Sequence, residues 1–498
     1  MRSALSGFLF WLLMASVAAG QTAVFSVTHG GVGETPLPGS VSFDAAAGEY
    51  RVTGGGANIW AASDAFHFAY TRLSGDFTLT AEVRFLGEGG NAHRKAVLMV
   101  RQNLAAGSAY ADVALHGDGL ASLQYRLSEG GQTAEQRSAV NGPARVRLQR
   151  RGSQITALVA AAGGDWTAAG PVAVTLNDPV YAGLGVSSHD PARLETAVFS
   201  NVRLEQPPRY RSKVAIHDLR SRTSRTLYET EGVVEAPNWS RDGRWLLINT
   251  GGNLYRLPLD DPKPRAITLG GGEYRCNNDH DLSRDGRWLA FSASSPSSRQ
   301  SQVYVAAADG SDVTLLTPLA PSYFHGWSPD GKWLAFVGQR NGKFELFRVA
   351  RTGGEEQRLT SAGAYDDGPD YSPDGKWIYF NSNRKDGWNL WRMPAGGAGA
   401  GDRNAQQITG DAWEDWFPHP SPDGKRLVFL SFPPGTEGHG GRMPGVALRM
   451  MDPPGRRAAA RPRIETLATF FGGQGSINVN SWAPDSQRFA YVVYELMP

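Results

Sequence analysis

The chain of 498 residues carries 20% charged residues and a net charge of +2, which fits a globular protein and gives no strong attraction for nucleic acid or anionic membrane. Its length exceeds what one hydrophobic core supports, so we expect two domains. The 60 glycines, 30 prolines and 14 tryptophans favour short strands joined by tight turns, hence an all-β fold. The single cysteine, Cys276, excludes an intrachain disulfide.

Residues 1–20 have the pattern of a signal peptide. Arg2 supplies the positive charge, residues 5–15 form an apolar run, and residues 18–20 are small enough for cleavage. A transmembrane anchor is the alternative, but the run is shorter than the roughly 20 residues that span a bilayer. We therefore expect cleavage near Gly20, a periplasmic or secreted protein, and no transmembrane segment in the mature chain.

Residues 21–205 alternate apolar and polar side chains with period two, as in residues 77–85, and show no long helical pattern. Turns such as 117–119 and 151–153 separate the runs. This spacing predicts a two-sheet β-sandwich or jelly roll. Further strands are expected at 96–100, 110–115, 121–127, 155–160 and 180–186.

Residues 206–498 contain six copies of a motif of the Ser-Pro-Asp-Gly type, each followed by an apolar strand. Their aspartates recur every 43 to 62 residues, mostly near 44, the length of a four-stranded propeller blade. Proline presets the type I turn and glycine accepts the left-handed position after it. We therefore predict a six-bladed β-propeller. The aspartates are Asp242, Asp285, Asp330, Asp374, Asp423 and Asp485.

The two ends of this repeat region complement each other. Residues 213–219 match a third strand without its first two, whereas residues 480–482 and 489–493 match a first and second strand without the rest. The two chain ends are therefore expected to build the sixth blade together.

The residues that precede each turn start the innermost strand of a blade, so they are expected around the mouth of the central channel, opposite the turns. The predicted catalytic residues there are Asp279, Asp281, Asp366, Asp367 and Asp415, and the predicted metal ligands are His280, His325 and His419. The predicted binding residues are Asn277, Asn278, Tyr323, Glu414, Trp416, Asn478 and Asn480. Imidazole with carboxylate suits a divalent metal such as Zn, Mn or Fe. The alternative is that these polar groups bond only to each other and to trapped water.

A long loop, residues 431–445, is expected at the same mouth and carries Glu437, His439 and Arg442. The repeats resemble those of the TolB family of periplasmic propeller proteins, with WD-type turns, over about residues 210–498. In TolB the propeller follows a small α/β domain, and no such pattern is present here. The resemblance implies the fold more strongly than a function.

Segments 75–83, 93–101 and 110–119 look like the concanavalin-A-like, laminin-G-like sandwich superfamily, which implies glycan binding on one sheet face or rim. The alternative for their polar residues is a solvated outer sheet face. The candidate surface residues are His93, Arg101, Tyr110, Asp112, His116 and Tyr125.

Two functions follow from this pattern, and the sequence leaves open whether the protein is an enzyme. The first is an exported module that binds a glycan or a cell-envelope protein at the channel mouth. The second is a carbohydrate-active enzyme, a metal-assisted lyase or a glycoside hydrolase, at the same mouth. Oligogalacturonate lyases are similar in using propeller repeats of this type with a histidine-bound metal. The sequence has no Gly-x-Ser-x-Gly elbow, phosphate-binding loop or His-Glu-x-x-His pair.

Overall fold

The computed structural model describes residues 24–25, 28–87, 90–455 and 463–497. The chain divides into two compact units, one ending at Pro207 and the other beginning at Pro208. In the described ranges the fold is all-β, with short 3-10 turns at Ala400–Asp402 and Gln474–Ser476. No described helix is long and apolar enough to cross a membrane. The predicted signal peptide lies outside the described residues.

The first unit is built from antiparallel strands that include every strand predicted from alternation. They are β1 (His29–Val32), β2 (Ser40–Asp44), β3 (Glu49–Gly54), β4 (Ile59–Trp60), β5 (Ser63–Asp64), β6 (Phe66–Leu73), β7 (Phe77–Phe85), β8 (Lys95–Arg101), β9 (Tyr110–His116), β10 (Ala121–Arg126), β11 (Ala134–Arg137), β12 (Arg145–Arg151), β13 (Gln154–Ala160), β14 (Thr167–Ala173), β15 (Val180–Ser187) and β16 (Glu195–Glu205).

These strands form two seven-stranded sheets, ordered β1-β6-β15-β8-β9-β10-β11 and β14-β13-β12-β7-β16-β3-β2, and β4 pairs with β5 in a hairpin. Alternate side chains of both sheets, such as Leu98 and Leu148, are fully buried in one shared hydrophobic cluster. Burial of this apolar area is the main stabilising contribution to the unit.

The opposite face of the first sheet is also buried, which corrects the placement of four candidate surface residues. Arg101, Tyr110, Asp112 and His116 are at most 6% exposed, so they form neither an open glycan surface nor a solvated sheet face. The β4–β5 hairpin covers them. Asp64 of that hairpin lies 2.7 Å from Arg126 Nη2 and 3.4 Å from Arg101 Nη2.

Of the other two candidates, Tyr125 is half-buried and packs against the core between the sheets, and His93 is exposed. Sequence alternation cannot reveal that a second layer covers a polar sheet face, because the covering hairpin comes from a distant part of the chain.

The second unit consists of strands β17 to β39. They are β17 (Tyr210–Asp218), β18 (Thr223–Glu231), β19 (Val234–Trp239), β20 (Trp245–Thr250), β21 (Asn253–Pro258), β22 (Arg265–Ala266), β23 (Arg275–Leu282), β24 (Trp288–Ser295), β25 (Ser298–Ala307), β26 (Thr314–Leu315), β27 (Ser322–Trp327), β28 (Trp333–Arg340), β29 (Lys343–Ala350), β30 (Gln357–Arg358), β31 (Asp366–Tyr371), β32 (Trp377–Ser382), β33 (Asn389–Pro394), β34 (Gln406–Gln407), β35 (Glu414–Pro420), β36 (Leu427–Phe432), β37 (Met443–Met451), β38 (Glu465–Gly472) and β39 (Arg488–Leu496).

Strands β19 to β38 form five four-stranded blades, each in sequence order from the inside outward. The sixth blade joins the chain ends, because β39 pairs with β17 and β17 pairs with β18. An isolated bridge between Trp482 and Phe489 supplies its innermost position. The six-bladed propeller and its closure by both chain ends are therefore confirmed.

Five of the six turn motifs are stabilised by the same serine hydrogen bonds, whereas the sixth has Ala483 in place of the serine and Ser486 in place of the glycine. In the first copy, Ser240 Oγ lies 2.6 Å from Asp242 Oδ1 and accepts a hydrogen bond from the Trp245 amide at 3.0 Å. Gly243 has a φ of 71°, a left-handed conformation that explains why glycine recurs there. The turn thus fixes where the innermost strand ends and the second strand begins.

Candidate binding site at the mouth of the propeller channel

The innermost strands place their polar residues along the channel, but each contains an irregularity that redirects side chains. Strand β23 shifts register between Cys276 and His280, and β31 shifts between Asp367 and Asp370. The other three complete innermost strands, β19, β27 and β35, shift at comparable places. A β-bulge re-aims the residues on either side of it. The predicted residues consequently separate into two clusters and several isolated positions.

The first group, which we call the mouth cluster, consists of Asn278, Asp279, His325, Asp367 and Asn478, all of them buried. His325 Nε2 lies 3.2 Å from Asp367 Oδ1 and 3.9 Å from Asp279 Oδ1. Asn478 Nδ2 donates to Asp279 Oδ1 at 2.5 Å and to the Asn278 carbonyl at 3.2 Å. The structure thus joins residues of four blades around one imidazole.

Burial and neighbouring charges shift the pKa values of the two carboxyl groups in this cluster in opposite directions. Burial raises the pKa of Asp279 to about 6, against the opposing effect of His325. Burial would also raise the pKa of Asp367, but the hydrogen bond and charge of His325 hold it below its usual value. Burial would lower the pKa of His325, yet Asp367 and Asp279 raise it. An imidazolium flanked by two carboxylates is the arrangement these shifts favour.

The long loop between β36 and β37 crosses the mouth cluster. His439 Nε2 lies 3.6 Å from Asp367 Oδ2, and its ring lies 4.2 Å from that of Trp416. Further along, Arg442 donates to Glu235 Oε1 of β19 at 2.5 Å and its guanidinium lies 4.8 Å from the Tyr494 ring centre. This loop belongs to the fifth blade, β35 to β38, and contacts Asp367 of the fourth blade and Glu235 of the first, so it forms a roof over the mouth cluster.

Tyr323 and Asn277 also lie near the mouth. Burial, and then the charges of Asp279 and Asp367, raise the pKa of the half-buried Tyr323. Asn277 Oδ1 accepts a hydrogen bond from the Asp279 amide at 3.1 Å. Trp416 is fully buried, with its ring 3.9 Å from that of Trp388, so it supports the roof from below.

A second cluster lies at the other end of the channel, beside the turns, and contains three residues predicted for the mouth. Both carboxylate oxygens of Asp281 accept hydrogen bonds from Arg241 Nη2, at 3.0 and 3.1 Å. His419 Nδ1 lies 3.1 Å from Asp370 Oδ2, and Asn480 Nδ2 donates to the same oxygen at 2.9 Å. The expectation that Asp281, His419 and Asn480 line the mouth was wrong, because they sit closer to the turn along their strands.

Three further acids are held in pairs away from the mouth cluster. Asp366 lies 2.6 Å from Arg384 Nη2. Asp415 accepts from Ser431 Oγ at 2.5 Å and lies 3.1 Å from Arg449 Nη1. Burial raises the pKa of Asp415 to about 7. The third, Glu414, accepts from the Trp388 amide at 2.6 Å, so these acids stabilise the blades locally.

The predicted grouping of His280, His325 and His419 around one metal ion is wrong. His280 is fully buried, neither ring nitrogen has a hydrogen-bond partner among the described residues, and burial lowers its pKa to about 3. His325 belongs to the mouth cluster and His419 to the turn end. Among the described residues, no three His, Cys, Asp or Glu side chains are arranged to hold a metal ion.

Sequence reasoning missed Asp370 and the two arginines of the turn motifs, Arg241 and Arg284. Asp370 has the same position as His419, two residues before the turn serine, and that equivalence was the available signal. The arginines stand where the other four motifs have proline, which also distinguishes them in the sequence.

Comparison with known proteins supports the propeller assignment. The family model of the TolB β-propeller domain matches residues 317–438. An uncharacterized protein of Agrobacterium fabrum, Atu1656, is 42% identical over 285 residues, which cover 57% of this chain and 92% of that protein.

A solved structure agrees with this match. A candidate TolB from Agrobacterium tumefaciens is 41% identical, with a TM-score of 0.54 over 58% of this chain and 99% of its own. TolB from Acinetobacter baumannii is 18% identical, with a TM-score of 0.40 over 53% of this chain and 64% of its own, which is too distant to support an argument about function. The repeats, the ring closure and the 42% identity over 92% of the Agrobacterium fabrum protein together show that the chain belongs to the TolB-like β-propeller family.

Proposed function

We propose that this protein is an exported binding module whose propeller recognises a glycan or a cell-envelope protein at the roofed mouth of its channel. The observation that supports this most is the mouth cluster, where His325 lies between Asp279 and Asp367 beneath a loop of the fifth blade that contacts the fourth blade and the first. Convergent titratable groups with shifted pKa values occur often at functional sites.

The ion pairs formed by the predicted catalytic acids outside the mouth cluster favour binding over catalysis. Asp281, Asp366 and Asp415, three of the five predicted catalytic residues, each form an ion pair with an arginine. These ion pairs direct the three carboxylates towards arginine side chains away from the mouth cluster. Asp279 and Asp367 remain, and both are engaged with neighbouring side chains of the mouth cluster.

One observation favours the carbohydrate-active enzyme as a second candidate. The pKa of Asp279 is raised to about 6 whereas that of Asp367 is lowered, and both carboxylates flank the same imidazole. Titratable groups whose environments separate their pKa values can divide the roles of acid and base. Under this alternative Asp279 is the proton donor and Asp367 is the ionised partner.

For the first unit we infer a concanavalin-A-like jelly roll. The two seven-stranded antiparallel sheets that share one core support this inference. Of the six residues predicted to bind a glycan on this unit, His93 alone is exposed. The predicted signal peptide and the resemblance to periplasmic TolB proteins support a place of action in the periplasm or outside the cell.

The test compares the wild type with Asp367→Asn and His439→Gln on a glycan array and on purified envelope proteins, with product analysis of every glycan that binds. Asp452→Asn is the matched control, because Asp452 is an exposed residue of the same unit and, within the described ranges, pairs with Arg426 alone. We expect binding without turnover, weakened at least tenfold in both mouth variants. Product formation by the wild type that is lost in Asp367→Asn would favour the enzyme, and equal binding by all variants would reject the site.

A further inference from the structure

The turn end of the channel holds a cavity that the proposed function does not use. Its volume is about 200 Å³, and the second residue of every turn motif lines it. All six blades therefore contribute one residue to the same ring. Four of these residues are prolines and two, on neighbouring blades, are arginines: Arg241, Arg284, Pro329, Pro373, Pro422 and Pro484.

The two arginines differ in how their charge is used. Arg241 donates to the Asp281 carboxylate at 3.0 and 3.1 Å, so its guanidinium is already paired. Arg284 is exposed and forms no ion pair with a carboxylate in the described part of the chain. Its Nη1 instead donates at 3.0 Å to the Pro373 carbonyl, two blades away. A neutral carbonyl is a weaker partner for a guanidinium than a carboxylate is.

We propose that this cavity is a second binding site, which takes a small ligand bearing a single carboxylate, anchored by Arg284. A carboxylate matches the planar guanidinium in geometry and replaces the carbonyl as its acceptor. The proline rings and the buried Trp327 supply the rigid apolar part of the wall for the rest of the ligand.

The remaining lining residues restrict the charge of the ligand. Asp281 and Asp370 both line the cavity, so a dianion such as phosphate is repelled more strongly than a monoanion. A cavity of about 200 Å³ is smaller than a typical drug-sized pocket, which begins at roughly 300 Å³. The site therefore suits a small organic acid, or one carboxylate-bearing residue of a larger molecule.

The experiment is a calorimetric titration of the full chain, at constant ionic strength, with acetate, D-glucuronate, D-glucose and inorganic phosphate in turn. Arg284→Pro is the informative variant, because four other blades have proline at this position, so the variant should fold while it removes the guanidinium. Arg287→Gln is the control, since this arginine belongs to the same turn but pairs with Asp285 outside the cavity.

We expect saturable binding of acetate and D-glucuronate by the wild type and Arg287→Gln, at least tenfold weaker in Arg284→Pro, with no binding of D-glucose. Absence of saturable carboxylate binding to the wild type would overturn the proposal. So would equal affinity in Arg284→Pro, or tighter binding of phosphate than of acetate. Variants of the mouth cluster should leave these affinities unchanged, so the result is independent of the proposed function.

Discussion

Removal of the last strand should unfold the second unit. A chain that ends at Gln487 lacks β39, which pairs with β17 at nine positions. Four of its large side chains, Phe489, Tyr491, Val492 and Tyr494, are at most 4% exposed. Each contributes roughly 1.5–3 kcal/mol when buried, so the deletion removes about 6–12 kcal/mol. Because domains are stable by only about 5–15 kcal/mol, most or all of the stability of this unit is lost.

The assay is urea unfolding of the full and shortened chains, followed by circular dichroism and tryptophan fluorescence. A chain shortened only by its last two residues is the control, since it keeps the whole of β39. We expect the control to unfold like the wild type and the chain that ends at Gln487 to lose one cooperative transition. If the chain that ends at Gln487 still shows two transitions with unchanged midpoints, closure by both chain ends is refuted.

Three further outcomes are expected. Asp64→Ala leaves two buried guanidinium groups without a carboxylate and should lower the unfolding free energy of the first unit, measured in urea, by about 3–5 kcal/mol. The surface variant Glu49→Ala should change this free energy by less than about 1 kcal/mol. Equal effects of the two variants would contradict the buried pairing. The pKa of His325 is raised, so its contribution to stability is complete below its unfolded pKa and is lost as the pH rises through the folded pKa. NMR titration of the imidazole should show this raised value and its decrease in Asp367→Asn, and an unshifted His325 would contradict the cluster. Burial raises the pKa of the Cys276 thiol to about 12, so it should react with a disulfide reagent only after unfolding; rapid reaction of the native protein would show that the thiol is accessible.

The architecture of the second unit could be predicted because its information is local and repeated. Each turn motif fixes one strand end through hydrogen bonds within six residues, such as those of Ser240 with Asp242 and Trp245. The complementary ends, residues 213–219 and 489–493, then leave one way to complete the ring. The first feature depends on neighbours in sequence, and the second can be read from which strands each chain end lacks, which is why motif and spacing were sufficient.

The division of the site could not be predicted because it depends on where each innermost strand is irregular. His280 and His325 both stand three residues before a turn serine, yet only His325 reaches the mouth cluster. The register shift in β23 spans Cys276 to His280, whereas that in β27 lies between Phe324 and Gly326. Equivalent positions in the motif therefore direct their side chains differently, and no residue type marks the difference.

The depth of a residue along the channel is a second source of error. Asp279 and Asp281 are two residues apart in one strand, a distance of roughly 6.6 Å. This separation is enough to place Asp279 with His325 at the mouth and Asp281 with Arg241 at the turn end. The sequence correctly predicted that acids and histidines lie along the channel, but it could not show that they form two separate clusters.

The most direct test of the central claim is the NMR signal of the His325 imidazole during titration with the first glycan or envelope protein that binds. If the ligand occupies the roofed mouth, the signals of His325 and His439 should shift with the binding curve while that of His217, in the chain-end blade, stays unchanged. Saturable binding that leaves both His325 and His439 unaffected would contradict the account.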